Sequence, residues 1–417
     1  MAERKPEIAL VQPRSFHTWE ALNMGYLAAN LRVAGYENIS FYSGFFDSDK
    51  EIIEGCKGAD IVGFSCTSPQ MRHGLFLAEK IKGPNNHIVF GGVHPSALPD
   101  ETLENKCVDA VVIGEGEHAF LDIVRGNHEL KVQQPYIEDL DSLSFPDRRI
   151  VRQERNIAEA ERDNQKRIAA IFSSRGCPFR CVFCASNVIW TRHVRFRSAK
   201  NIVDEFEQVV NDWQIDFMKF SDDTFTLRKK LVLQFCEEKL KRDIKTEWGC
   251  NIRVDTADEE MLRAMHKAGC REVWAGVESG SPKILADMKK GITPDQIRIT
   301  FELAKDIGLF RRAYILLGMP NEDIDDIKLT EQLIDEIDPD IVGFTVLAPY
   351  PGTCFYDEKK HRDIDWSAVD EYGNKMTRTC YLTNEQLQIE HDRLTKKYED
   401  RLAFRNRAIA GGKNGGD

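Results

Sequence analysis

Short apolar runs alternate with segments of helical period along two stretches of the chain. In the first, Ile8–Val11, Ile39–Tyr42, Ile61–Cys66, Ile88–Phe90 and Ala110–Ile113 are rich in β-branched and aromatic residues. They read as strands buried on both faces. Between them, Ala21–Val33 carries apolar residues at helical spacing and stops before Gly35, and Leu75–Ile81 stops before Gly83, as helices that end on a glycine cap do. Strands alternating with helices imply a parallel sheet with right-handed crossovers. The expectation is a five-stranded, doubly wound, flavodoxin-like Rossmann domain over residues 1–134.

Residues 135–166 read as a charged linker interrupted by Pro146. A second alternation then runs over 167–350. Its strands are Ile168–Phe172, Phe217–Phe220, Thr246–Cys250, Glu272–Val277, Ala313–Leu317 and Ile341–Leu347. Its helices are Ala199–Val210, Leu231–Leu240, Glu259–Lys267, Pro294–Ile307 and Ile327–Ile337. Six such units make a full or partial parallel barrel, whose chemistry belongs at the C-terminal ends of its strands. Residues 351–417 follow as a cap: a rigid Pro349–Thr353 turn, a charged amphipathic helix from Asn384 to about Ala408, and a flexible GGKNGGD tail.

Composition narrows the class. Among 417 residues, 42% are hydrophobic and 30% charged, an ordinary globular mixture. No apolar run approaches the roughly 18–20 residues of a membrane span, and MAERKPEIAL lacks a signal-peptide core. With 57 Lys+Arg against 68 Asp+Glu, the net charge of −11 disfavours a nucleic-acid partner. Eleven cysteines without an export signal point to a cytoplasmic protein. Cys56, Cys66, Cys107, Cys236, Cys250 and Cys270 sit singly on apolar elements and read as core; Cys354 and Cys380 stand too far apart for a cluster.

Three cysteines do not fit a core. Immediately after the first barrel strand, Cys177, Cys181 and Cys184 form CxxxCxxC. Such a loop wraps a metal or cluster. Zinc would want a fourth ligand, for which only His193 lies near. An iron–sulfur cluster held by three thiolates would leave one iron open. On the Rossmann side, Ser65-Cys66-Thr67, Gly91-Gly92 and Gly114-Glu115-Gly116-Glu117 follow successive strands. Glycines on one rim let a ligand approach the backbone closely.

CxxxCxxC at the end of a first barrel strand, with Phe183 before its last cysteine, resembles the radical S-adenosylmethionine (SAM) superfamily. The glycine loops, with Gly276-Val277-Glu278-Ser279-Gly280 and Leu317-Gly318-Met319-Pro320-Asn321-Glu322, resemble its cobalamin-binding class. The resemblance spans about residues 7 to 355. It implies that Cys177, Cys181 and Cys184 hold a [4Fe–4S] cluster whose open iron chelates SAM, yielding a 5′-deoxyadenosyl radical after electron transfer from a flavodoxin or ferredoxin. It places Phe183, Leu317 and Leu347 near adenine, Asp222 and Asp223 at the ribose, Glu278 at the SAM ammonium and Arg253 at its carboxylate. Arg253 could instead sit in an ordinary structural ion pair, and one of the two aspartates could cap a helix. Asn23, Ser65, Thr67, Gly91, Gly92, Glu115 and Gly116 would face cobalamin.

The resemblance implies methylation of an unactivated carbon, or phosphorus, of a small molecule. The alternative within the class is rearrangement, cyclisation, carbon–carbon coupling or transfer of another part of SAM. A zinc-stapled binding or sensor protein is the alternative outside it. The DxHxxG signature of His-ligated cobalamin is absent; the comparable loop reads Pro13-Arg14-Ser15-Phe16-His17-Thr18-Trp19. His17, His73 and His94 are therefore not assigned as ligands.

Overall fold

In the computed structural model, residues 4–14, 20–362, 364–369, 374 and 376–402 are described. His17 and the terminal GGKNGGD lie outside them.

The N-terminal sheet is parallel throughout and contains β1 (Ile8–Gln12), β2 (Ile39–Ser43), β3 (Ile61–Ser65), β4 (His87–Gly91), β5 (Ala110–Ile113) and β6 (Lys131–Gln133), in the order β2-β1-β3-β4-β5-β6. Five of these strands lie where the apolar runs place them. The sixth corrects the five-stranded expectation: Lys131–Gln133 alternates exposed, buried, exposed, so an edge strand with one buried residue gives no apolar run to read. Two apolar layers sandwich the sheet. One holds Leu10, Met24, Leu31, Val89 and Phe120, the other Val11, Ile52, Phe64, Leu77 and Phe90. Burial on both faces is what near-continuous apolar strands require.

The linker is not a simple connector. Gln153–Asn164 is helical, and Arg148, buried with Glu205, ties the segment to the barrel at 2.8 Å. The barrel begins at β7 (Ile168–Ile171). A two-stranded ribbon of β8 (Ser174–Arg175) and β9 (Arg195–Phe196) follows, then β10 (Phe217–Phe220), β11 (Glu247–Ile252), β12 (Cys270–Glu278), β13 (Phe310–Leu317) and β14 (Ile341–Val346). The six long strands pair in the order β14-β13-β12-β11-β10-β7, all parallel, and β7 does not pair with β14. The barrel is therefore partial. Its core fills the layer between sheet and helices, with Phe206, Phe220, Phe235 and Trp248 fully buried.

Both open edges are covered. On β7, Glu20 accepts from Ala170 N at 2.8 Å and Arg148 donates to Ala170 O at 2.8 Å. On β14, Leu402 bridges Val342 after the C-terminal helix Asn384–Lys397. Two side chains on β7 and a backbone bridge on β14 thus take hydrogen bonds that a free edge would offer to another chain. The six isolated cysteines are buried, while Cys354 and Cys380 are exposed.

Candidate active site

The cysteine loop leaves β7 and β8 at the barrel mouth. It is pinned by Val182 N donating to Met288 O at 3.0 Å and by Cys354 N donating to Val182 O at 3.4 Å. Cys177, Cys181 and Cys184 are each half-buried. Burial pushes the thiols of Cys177 and Cys181 up; for Cys181 the neighbouring Lys290 and Arg253 cations pull the other way. His193, the candidate fourth zinc ligand, is exposed and engaged with Glu138 Oε2 at 2.8 Å. Among the described residues, no three His, Cys, Asp or Glu side chains converge on a site for one metal ion. The donor set is three soft sulfurs on one loop, which suits an iron–sulfur cluster.

Glu278 closes β12 with φ 64°, a left-handed backbone that a non-glycine residue adopts at a cost. Its buried carboxylate accepts from Lys290 Nζ at 2.7 Å. Gly276 makes room for this pair: a Cβ there would overlap Glu278 Oε1 and lie 2.6 Å from Lys290 Nζ. Arg253 stacks on Phe179, 3.5 Å from the ring centroid. Its Nε and Nη2 grip Asp255 at 3.0 and 2.9 Å, Nη2 also reaches Lys290 O at 2.7 Å, and Nη1 approaches Cys181 Sγ at 3.8 Å.

Asp222 is buried and accepts from Ser173 N, Ser173 Oγ and Ser174 Oγ. It anchors the start of the cysteine loop to β10. Asp223 opens into the cavity described below. The surrounding protein and the Asp222 charge push its carboxyl up to about 6. Phe183 packs against Ile284, Met288, Leu316, Met319 and Leu347. Leu317 turns the other way, into the core beneath the helices, so Leu316 is the β13 leucine beside Phe183. Leu347 O already accepts from Asn374 Nδ2 at 3.0 Å.

The Rossmann rim and the barrel mouth enclose one cavity of about 550 Å³. Asn23, Ser65, Thr67, Gly91, Gly92, Glu115 and Gly116 line it, with Arg175, Trp190, Asp222 and Asp223 from the barrel side. Gly92 has φ 97°, and a Cβ there would come within 2.7 Å of Cys66 O and 2.8 Å of Cys66 N. The rim is bare backbone where a side chain would intrude.

Glu115 does more than face the cavity. Its carboxylate receives Arg175 Nη1 and Arg195 Nη1 at 2.6 Å each and Ile137 N at 2.8 Å, while Glu117 receives Arg175 Nη2 at 2.6 Å. Burial would raise Glu115, but these donors outweigh it and hold its carboxyl below the usual range. The clasp joins the two sheets two residues before Cys177. Sequence reasoning assigned no role to Lys290, Arg175, Glu117 or Asp255. The doubled Gly-Glu was the only signal for the clasp, and Lys289-Lys290-Gly291 reads as an ordinary helix end.

The fold and the site together define a class: a partial parallel barrel that presents three cysteines at its mouth to a Rossmann-type cofactor domain. Residues 171–334 match the radical SAM superfamily profile and residues 14–124 the B12-binding domain. The chain is 31% identical over 72% of its length to an uncharacterized methyltransferase of Pyrococcus horikoshii, covering 69% of that protein. It is 30% identical over 82% of its length to an anaerobic magnesium-protoporphyrin IX monomethyl ester cyclase of Rubrivivax gelatinosus, covering 66% of it. The fold matches the radical SAM methyltransferase TsrM of Kitasatospora setae, solved with cobalamin and a [4Fe–4S] cluster bound. That match has a TM-score of 0.68 at 18% identity, over 84% of this chain and 76% of TsrM. The chain belongs to the radical SAM superfamily, in the group that carries a B12-binding domain ahead of the radical SAM domain.

Proposed function

We propose that this chain is a cobalamin-dependent radical SAM methyltransferase acting on an unactivated carbon, or phosphorus, of a small molecule. The observation that carries the reading is the single cavity into which both the glycine rim and the barrel mouth open. When bound, the cluster supplies the electron that cleaves SAM, and cobalamin supplies the methyl-transfer centre.

The chain's residues bind, orient and exclude water. Cys177, Cys181 and Cys184 would hold the cluster, leaving one iron for SAM. Glu278 would accept the SAM ammonium, and the cluster of Phe183, Leu316 and Leu347 would receive the adenine. Asp223, the more exposed of the two aspartates that line the cavity, suits the ribose hydroxyls; Asp222 is committed to the serines. Asn23, Ser65, Thr67, Gly91, Gly92 and Gly116 would cradle the corrin, with Glu115 fixing the wall behind them. Electrons would come from a one-electron carrier protein such as flavodoxin or ferredoxin. The eleven free cysteines suit a reducing, cytoplasmic setting, and no helix among the described residues is long and apolar enough to cross a membrane.

The cyclase relative favours a second reading, in which the substrate radical left after hydrogen abstraction closes a ring instead of accepting a methyl group. Anaerobic reconstitution with iron, sulfide and cobalamin separates the two. Methyl-labelled SAM and reductant should yield S-adenosylhomocysteine together with 5′-deoxyadenosine, and a labelled methyl group in the product. Deoxyadenosine without S-adenosylhomocysteine supports the second reading, and neither product overturns both.

A further inference from the structure

The three cysteines lie on an excursion of the chain that leaves the barrel at Arg175 and returns at Arg195. These two residues stand directly opposite each other in the antiparallel ribbon β8–β9, which is two residues long on each side. Like charges at opposed positions destabilise a ribbon, and so short a ribbon is marginal on its own. Thr191, just ahead of the return, adds φ 51°, a conformation that a β-branched residue adopts at a cost. Arg195, 4% exposed, also keeps Nε and Nη2 buried with no acceptor among the described residues. The base of the cysteine loop is not closed by its own bonds.

What closes it comes from the Rossmann domain. Glu115 lies between the two guanidiniums, with one carboxylate oxygen on Arg175 Nη1 and the other on Arg195 Nη1, at 2.6 Å each, and Glu117 accepts from Arg175 Nη2 at 2.6 Å. Trp190, on the excursion itself, lies 5.3 and 5.9 Å from the two guanidiniums. Two cations buried side by side require such partners. Both carboxylates belong to the loop Gly114-Glu115-Gly116-Glu117, which borders the cavity of about 550 Å³, and Arg175 and Trp190 line the same cavity from the other side.

We infer that the cysteine loop is held shut from the cobalamin side, so that occupancy of the rim cavity and assembly of the cluster favour each other, with Glu117 and Arg195 as positioning residues. This rests on the proposed function. A ligand packed against the rim fixes the loop that carries Glu115 and Glu117. The fixed carboxylates keep Arg175 and Arg195 together, and the closed base keeps Cys177, Cys181 and Cys184 gathered. In the other direction, a cluster ties the excursion together and presents both arginines to the rim. Coupling between two binding sites is reciprocal.

The test compares the full chain with and without its reconstituted cluster, under anaerobic conditions, by equilibrium dialysis of hydroxocobalamin. In wild type the cluster should tighten hydroxocobalamin binding about fivefold or more, and hydroxocobalamin should slow iron loss to a chelator. Glu117→Gln should bring the two affinities to within about twofold of each other, and Glu117→Asp should retain part of the difference. Arg195→Gln removes the opposed cation, so the base needs less help from the rim and the difference should shrink there as well. That variant carries the test if circular dichroism shows Glu117→Gln unfolded. A clasp that is merely structural would weaken binding with and without the cluster alike. A wild-type ratio of affinities retained in these variants therefore overturns the inference, as does equal affinity of the two wild-type forms. Hydroxocobalamin binding to neither wild-type form would overturn the proposed function as well.

Discussion

Cys181 sits among charged side chains. It faces Arg253 at 3.8 Å and lies in the fields of Lys290 and Glu278. Cys181→Ala should abolish cleavage of SAM to 5′-deoxyadenosine and lower the iron content while the chain stays folded, since the side chain lies at the barrel mouth outside the apolar core. Product analysis beside circular dichroism checks this. Glu278→Gln keeps the shape of the site and removes the charge. It should weaken SAM binding by about 1.5–3 kcal/mol, read by calorimetry, and it should also cost stability, because Lys290 loses its buried anionic partner. His94 belongs to stability instead. It is 2% exposed and bonded to Ser68 Oγ at 2.9 Å, and burial pushes its imidazole down to about 4. The unfolded chain binds this proton near pH 6.5 and the folded chain does not. Stability is therefore fully present above about pH 6.5 and falls as the pH drops toward 4, by up to about 3 kcal/mol. His94→Gln should flatten that acid limb in denaturation curves.

Loops at strand ends carry the rim, and in the proposed function their backbone would be the binding surface. Gly92→Ala puts a Cβ into the Cys66 backbone at a φ that alanine resists. It should cost at least about 2 kcal/mol and impair cobalamin retention, measured by absorbance after gel filtration. The ribbon β8–β9 is the matching element on the barrel side. Arg175 there is buried between the Tyr26 and Trp190 rings, 5.2 and 5.3 Å from their centroids, and holds Glu115 and Glu117. Arg175→Met strands two carboxylates that only partly find other partners. It should cost roughly 3 kcal/mol of stability in chemical denaturation and loosen the docking of the two sheets, seen as faster proteolysis between them.

At the scale of the whole molecule, sequence reached far in some places and failed in others for identifiable reasons. Strands buried on both faces announce themselves as apolar runs, which is why eleven of the twelve strands in the two six-stranded sheets could be read; β6, with one buried residue, could not. The three cysteines were legible because their spacing has few other uses. The pairings around them were not. Lys290 lies twelve residues past Glu278 and meets it only through a turn, and Asp255 and Arg253 are neighbours whose bond is invisible in a string. Leu316 and Leu317 differ by one position in a strand, and the period of two sends Leu316 toward Phe183 and Leu317 into the core.

The central claim is a cluster held by three thiolates with one iron left for SAM. Electron paramagnetic resonance of the reduced, anaerobically reconstituted protein, with and without SAM, tests it most directly. The account predicts about four irons and four sulfides per chain and a signal that shifts when SAM is added. A protein that takes up zinc instead of iron, or a cluster whose spectrum ignores SAM, would contradict it.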